Sequence, residues 1–148
     1  MRWPRNRRLV GAGRLVVTAA VALIALASCS VLAESPQEQE SSDAIAAQIQ
    51  TALAARPDVV TVKVGYQNNL SAAERVDVTA TLTAGTDFTP FIDEVTRLVW
   101  QSKLHPLSSI NISVSDADDI QRSTSRHLAP ADEDKTELER KYGPRPPK

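Results

Sequence analysis

Few side chains in this 148-residue chain are suited to covalent or metal chemistry: it has one cysteine, Cys29, and two histidines, His105 and His127. A thiolate attacks electrophiles or binds metal, and an imidazole transfers protons near neutral pH. A single cysteine excludes both a disulfide framework within the chain and a zinc site built from several thiolates. Neither histidine has an acidic or histidine companion at a metal-ligand spacing. We therefore expect no catalytic residue, no metal and no cofactor.

Carboxylates are more numerous, but their spacing does not indicate a known site. Asp116, Asp118 and Asp119 alternate as calcium ligands do, yet the glycine and distal glutamate of a twelve-residue calcium loop are missing. We interpret this cluster as a solvated strand end, and Asp93 with Glu94 as a solvated helix face. The chain also lacks a nucleophile elbow and a glycine-rich phosphate loop. The expected class is a protein that is not an enzyme.

The surroundings of Cys29 give its thiol a specific role. Five arginines precede an apolar run of twelve residues, 15–26, which is the order of a secretion signal. The run is shorter than the roughly 18 residues that a membrane-spanning helix needs. It ends in a short motif that resembles the lipobox of bacterial lipoproteins and consists of Leu26, Ala27, Ser28 and Cys29.

The resemblance to a lipobox implies a location and an attachment. The signal 1–28 would be removed, and Cys29 would carry diacylglycerol and fatty acids such as palmitate. Two or more acyl chains hold a protein stably on a bilayer, where one chain gives only marginal binding. The predicted partner is the lipid bilayer, reached through acylated Cys29 at the extracytoplasmic face of the cell membrane. A plain secretion signal, a chance thiol and, because of Arg7 and Arg8, a twin-arginine export signal are the alternatives.

Cleavage would also change the charge of the protein. It removes five of the seventeen basic residues and none of the eighteen acidic ones, so the mature chain has twelve basic and eighteen acidic residues and a net charge of −6. An acidic protein binds nucleic acid and anionic membranes poorly through its overall charge. We expect no nucleic-acid partner, and the sequence does not predict an oligomeric state.

The periodicity of apolar residues divides the mature chain into three parts. A polar tether, 29–42, leads to a small domain, 43–115, and a polar, largely flexible tail, 116–148. The domain is predicted to contain a helix over 43–55, strands over 60–66 and 76–82, a helix beginning at Thr89 and Pro90 and ending near Lys103, and a strand over 110–114. Charges in the tail favour a short helix between residues 131 and 142.

These elements predict an α+β fold with an α-β-β-α-β order. Each helix has an apolar stripe and each strand has one apolar face, so a two-layer sandwich buries both. The sheet would have three mixed strands, the third parallel to the second, with both helices on one face. This order is similar to that of BON domains, small modules of bacterial envelopes linked to phospholipid or membrane association. The glycine and valine pattern of their hairpin is missing here, where Asn68, Asn69 and Leu70 occupy the loop.

The predicted outer face of the sheet is the first candidate interface. Its polar members include Thr79, Thr81, Asn111 and Ser113. An antiparallel sheet commonly leaves one such face in water, and the alternative is a docking surface. Trp100, the one tryptophan after cleavage, is the second candidate, with packing as its alternative role.

The sequence supports three hypotheses of function. The first is an envelope lipoprotein that is not an enzyme and binds a protein partner or an envelope component. The second is an enzyme, or an accessory subunit of one, of unrecognised type. The third is a structural spacer whose tail is a disordered contact segment.

The substitution Cys29→Ser tests the anchor. We expect it to release the protein from the membrane, because the acceptor of the lipid is lost. Labelling of cells with a fatty-acid probe followed by fractionation measures this. A wild-type mature protein that stays unlabelled and soluble would contradict the lipoprotein hypothesis.

Overall fold

The computed structural model describes residues 36–69 and 72–148, which belong to one compact unit. The signal peptide, the lipobox, Cys29 and the first part of the tether lie outside the described residues. Within the described part there are three helices and four strands. In chain order they are α1 Pro36–Ala54, β1 Val59–Asn69, β2 Ala72–Leu82, α2 Phe88–Trp100, β3 Ser109–Asp116, β4 Ser123–Leu128 and α3 Lys135–Tyr142.

Helix α1 begins earlier than the sequence predicts. The sequence predicts a start at Asp43, but the helix begins at Pro36 and takes in the second half of the predicted tether. Glutamate and glutamine are good helix formers, and proline is tolerated in the first helical turn, so this segment can extend the helix. Ser42 is buried inside the helix, and Asp43 accepts a hydrogen bond from Gln39 one turn earlier.

The four strands form one mixed sheet in the order β1-β2-β3-β4. Strands β1 and β2 are an antiparallel hairpin, β2 and β3 are parallel, and β3 and β4 are antiparallel. The parallel pairing of the second and third strands confirms the sequence prediction. It arises because helix α2 carries the chain back between them, as parallel neighbours require a crossover connection.

The inner face of the sheet forms the core with α1 and α2. Alternate residues of the two central strands are at most 2 % exposed, and they are Val76, Val78, Ala80, Leu82, Ile110, Ile112 and Val114. Helix α1 adds Ala46, Ile49 and Leu53 at helical spacing, and α2 adds Phe91, Val95 and Val99. Because side chains alternate along a strand, this burial places every other residue on the opposite, outer face.

Helix α2 begins one residue before the predicted start. Its N-cap is Asp87, whose carboxylate accepts the backbone N–H of Thr89 at 2.9 Å. The first helical residue is Phe88, so Thr89 and Pro90 stand second and third in the helix. A carboxylate at the N-cap satisfies a free backbone N–H of the first turn, which is why Asp87 fixes the boundary.

The predicted three strands and two helices are incomplete, because the segment 116–148 adds β4 and α3. The helix lies within the predicted range 131–142, whereas the strand was not predicted. Its burial pattern explains the omission: in β4 only Leu128 is buried, so the strand carries no alternation of apolar and polar residues. Pairing with β3 over six residues, rather than apolar burial, specifies it.

Helix α3 and the residues after it pack against α2. Leu138 is 4 % exposed and Trp100 of α2 is 1 % exposed. The indole N–H of Trp100 donates to the carbonyl oxygen of Gly143 at 2.8 Å, and the amide of Gln101 donates to that of Tyr142 at 3.0 Å. These contacts tie the end of the chain to the end of α2.

The substitution Leu138→Ala tests whether α3 is part of the folded unit. Removal of a buried leucine side chain should lower the free energy of unfolding by about 2–5 kcal/mol. Ile120→Ala is the control, because Ile120 is 79 % exposed and its truncation should change stability by less than about 0.5 kcal/mol. Equal urea midpoints for the two variants would contradict the packing of α3.

Candidate functional site: the outer face of the sheet

The outer face of the sheet is composed almost entirely of polar side chains. Register places residues of all four strands in rows that run across the sheet. One row is Lys63, Thr79, Ser113 and Ser125, and the next is Gly65, Asp77, Asn111 and His127. Helices α1 and α2 pack on the inner face, so these rows stay exposed or half-buried. The structure thus brings together the predicted candidates Thr79, Thr81, Asn111 and Ser113 on one surface.

A chain of hydrogen bonds crosses this face from β2 to β4. Arg75 Nε donates to Asp77 Oδ2 at 2.9 Å, and Asn111 Nδ2 donates to Asp77 Oδ1 at 2.9 Å. The carbonyl oxygen of Asn111 in turn accepts a hydrogen bond from Nδ1 of His127 at 2.7 Å. This arrangement orients the side chains of three strands relative to one another.

Hydroxyl groups fill the rest of the face. Thr81 Oγ1 lies 3.4 Å from Ser115 Oγ, and Ser113 Oγ lies 3.4 Å from Ser125 Oγ. Neighbouring strands are about 4.8 Å apart, so the hydroxyls form a regular array. Each hydroxyl both donates and accepts, which suits a ligand with many polar groups of either kind.

Trp100, the second predicted interface residue, is not on this surface. It is buried beneath the C-terminal residues, where its N–H is bonded to Gly143 and the Arg145 guanidinium lies 5.9 Å from the ring centroid. A side chain that is 1 % exposed offers no open area to a partner. In the described chain its role is packing, which is the alternative that the sequence also allowed.

The predicted carboxylate cluster after β3 is a structural clamp. The side chain of Asp116 is 3 % exposed, and its carboxylate accepts the backbone N–H groups of Gly85, Asp118 and Asp119 at 2.8–3.3 Å. Arg122 Nη1 also donates to it at 2.6 Å. Hydrogen bonds from the N–H groups of Asp118 and Gly85, and to a lesser extent from Arg122, lower the pKa of Asp116 to about 2. All of these donors come from the chain itself.

This clamp joins the ends of two parallel strands to the start of α2. Gly85 lies in the turn after β2 and has a φ of 77°, a conformation that favours glycine. Arg122 also donates to the carbonyl oxygen of Thr86 at 2.7 Å, and its guanidinium lies 4.7 Å from the ring centroid of Phe88. In the described part of the chain, no group of three or more histidine, cysteine or acidic residues could hold a metal ion.

A cavity of about 310 Å³ lies between α2, β4 and α3. Three residues of its lining, Asp93, Lys141 and Tyr142, are joined by hydrogen bonds. Asp93 accepts hydrogen bonds from Lys141 and from Tyr142, the latter at 2.6 Å. Lys141 is the main cause of the lowered pKa of Asp93, and burial is the main cause of the raised pKa of Tyr142. This trio fastens α3 to α2, so Asp93 is not the simple solvated residue that the sequence predicts.

A second cavity, of about 470 Å³, is lined by His105, Ser108 and Glu139. These residue types occur in hydrolytic sites, but here each side chain has a different partner. His105 Nε2 is bonded to the Pro146 carbonyl oxygen at 2.9 Å, Ser108 donates to Glu74 at 2.5 Å, and Glu139 lies 4.0 Å from Lys135. The described hydrogen bonds of Ser108 do not join it to His105 or Glu139, so these three residues do not form one connected catalytic group.

Comparisons with known proteins identify no relative. No protein family, no curated protein and no solved structure matches the chain. Among the described helices, none combines the length and the apolar character that a membrane span requires.

The sequence analysis does not identify Arg75 and His127 as members of the outer face. Arg75 lies just before the predicted start of the second strand, where extending the alternation by one residue would have found it. His127 lies in β4, which has no apolar alternation, so only the pairing with β3 reveals it.

The acid sensitivity of the fold tests the clamp at Asp116. The folded-state pKa of about 2 is below the ordinary 3.8, so the carboxylate stabilises the fold fully above about pH 4, and this stabilisation is lost as the pH falls toward 2. Asp116→Asn should lower the Tm at neutral pH and flatten the decline of Tm between pH 4 and pH 2. Asp118→Asn is the control, because the Asp118 side chain is exposed. An unchanged acid profile in Asp116→Asn would contradict the clamp.

Proposed function

We propose that this chain is a lipid-anchored protein of the bacterial cell envelope that is not an enzyme and that docks an envelope component on the outer face of its sheet. The observation that carries the proposal is this polar face, formed by four strands and left open by the described helices. Its side chains are preorganised by hydrogen bonds, so binding would cost little ordering entropy.

The lipid anchor supports a docking role near the membrane. Six residues lie between Cys29 and Pro36, the first residue of α1, so seven Cα-to-Cα steps connect the two. A chain of this length spans at most about 25 Å. A lipid on Cys29 would therefore keep the folded domain close to the bilayer, and the soluble domain would present its surface to the surrounding envelope.

The absence of an assembled catalytic group in the described residues also favours binding over catalysis. The nucleophile, imidazole and carboxylate around the second cavity are bonded to other groups, and the trio in the first cavity joins two helices. Binding, in contrast, requires an accessible surface with fixed donors and acceptors, which the outer face supplies.

Site-specific photo-crosslinking tests the docking face. A photo-reactive amino acid in place of Thr79 lies at the middle of the outer face, and one in place of Thr136 lies on exposed α3. We expect crosslinked envelope material at position 79 in living cells and none at position 136. Both variants should sediment with the membrane.

A bulky substitution at the centre of the outer face, matched by the same substitution on α3, tests the docking face by mutation. Tyrosine favours strands as threonine does, and its larger side chain would cover the centre of the outer face. Thr79→Tyr should therefore abolish crosslinking from a photo-reactive amino acid at the neighbouring position Ser113. Thr136→Tyr should leave that crosslinking intact. Equal crosslinking from positions 79 and 136, or none at either, would overturn the proposed docking face.

A further inference from the structure

Arg145 is a partly buried cation without an acidic partner in the described chain. It lines the second cavity, and its guanidinium donates to the carbonyl oxygen of Leu104 and lies 5.9 Å from the ring centroid of Trp100. Burial is the main cause of the lowered pKa of this guanidinium. The charge has therefore lost hydration that no carboxylate of the described residues replaces.

The guanidinium also has more N–H donors than acceptors. Nε of Arg145 is shielded from solvent and has no hydrogen-bond acceptor among the described residues. Buried polar groups in folded proteins nearly always have a partner, so an exception calls for an explanation such as a bound ion. An anion beside the terminal nitrogens would compensate the charge of Arg145 without reaching Nε.

The backbone on both sides of Arg145 is held in place. The indole N–H of Trp100 donates to the carbonyl oxygen of Gly143 at 2.8 Å, and Nε2 of His105 is bonded to that of Pro146 at 2.9 Å. These bonds fix the cation at the wall of the cavity before a ligand arrives. Binding would therefore cost little ordering entropy.

The cavity has one uncompensated positive charge when histidine is counted as neutral. Lys135 and Glu139 also line it, and their charged groups are 4.0 Å apart, so these two residues compensate each other. Arg145 then leaves a single positive charge, in a mature chain with an expected net charge of −6. A carboxylate carries one negative charge on two oxygens that match the planar guanidinium. A phosphate monoester carries nearly two negative charges and matches the cavity less well.

The remaining walls of the cavity are mostly apolar. Three lining residues are prolines, Pro106, Pro130 and Pro144, and Leu107 and Ala131 also line it. Proline has no backbone N–H, so these walls offer few donors to a ligand. The volume of about 470 Å³ is within the range of small-molecule sites. The uncharged part of a ligand in this cavity would therefore be short and apolar.

From these observations we propose that the second cavity binds a small monocarboxylate, with its carboxylate on Arg145 and its apolar part against the proline walls. This ligand site is separate from the docking face and does not depend on it. The carboxylate belongs either to a free organic acid or to the carboxyl end of a peptide, which present the same chemistry to Arg145.

Titration of the full chain in detergent with isovalerate tests the proposal. The acid should raise the Tm of the wild type with increasing concentration, because a ligand that binds only the folded state stabilises it. Isovaleramide, which has the same shape without the charge, and sodium chloride at equal concentration should not raise it. Phosphate should bind at least about tenfold more weakly than isovalerate, because it matches the single charge and the apolar walls less well.

Acetyl-alanyl-leucine, with its carboxyl end free or amidated, identifies the source of the carboxylate. Tighter binding of the free form than of isovalerate supports the end of a peptide, and weaker binding supports a free acid. The amidated form should not bind in either case.

The substitution Arg145→Met separates a binding role from a structural one. Methionine keeps an unbranched stem beside Trp100 and removes the charge, so affinity for isovalerate should fall at least about tenfold. Without ligand the variant should have an equal or higher Tm, because an unpaired buried charge is costly. Arg140→Met is the control, since Arg140 is exposed on α3 and does not line the cavity. It should change neither quantity.

A second variant keeps the test decisive if Arg145→Met does not fold. Arg145→Lys retains the charge without the planar fork, so it should fold and bind isovalerate more weakly than the wild type. Equal binding by wild type and either folded variant would overturn the proposal. So would a wild-type protein that responds to isovalerate no more than to isovaleramide, or that binds phosphate more tightly than the acid.

Discussion

Burial of one face of the sheet is the constraint on which the rest of the structure depends. The two central strands place their apolar residues beneath α1 and α2, and the alternation of side chains sends the polar residues to the opposite face. A shift of register by one residue would exchange the two faces, so apolar burial also fixes which polar groups meet across the strands. The row that joins Asp77, Asn111 and His127 is a direct consequence of the packing on the other side.

Polar contacts then stabilise the ends of the elements that burial brings together. The carboxylate of Asp116 connects the turn after β2, the loop after β3 and, through Arg122, the beginning of α2. At the other end of α2, Trp100 receives the C-terminal residues through Gly143. A domain of this size has a small stability margin, so a few satisfied buried polar groups contribute substantially to one ordered state.

The separation of the sheet into an apolar inner face and a polar outer face also explains why the candidate site is a surface and not a cavity. In the cavities, acidic, basic and hydroxyl groups of neighbouring elements bond to one another and act as fasteners, as Asp93 does with Tyr142. On the outer face the groups also bond to one another, but they remain accessible along their free edges. Arg145 is the exception in the second cavity, since its guanidinium is bonded to a backbone carbonyl and not to a described acidic residue.

The sequence alone determined the α+β class, both strands of the hairpin, the amphipathic helix α2 and the parallel return of β3, because each has an apolar pattern that local periodicity reveals. It also determined that Thr79, Thr81, Asn111 and Ser113 share a face, since period two fixes the side to which a residue points. Only the tertiary structure decided that β4 is a strand and that His127 joins the face, because pairing with β3 specifies them without apolar alternation. The conversion of Asp116 from a solvated acid to a buried clamp likewise depends on Gly85 and Arg122, and no local pattern shows that the turn after β2 and the loop after β3 meet at one carboxylate.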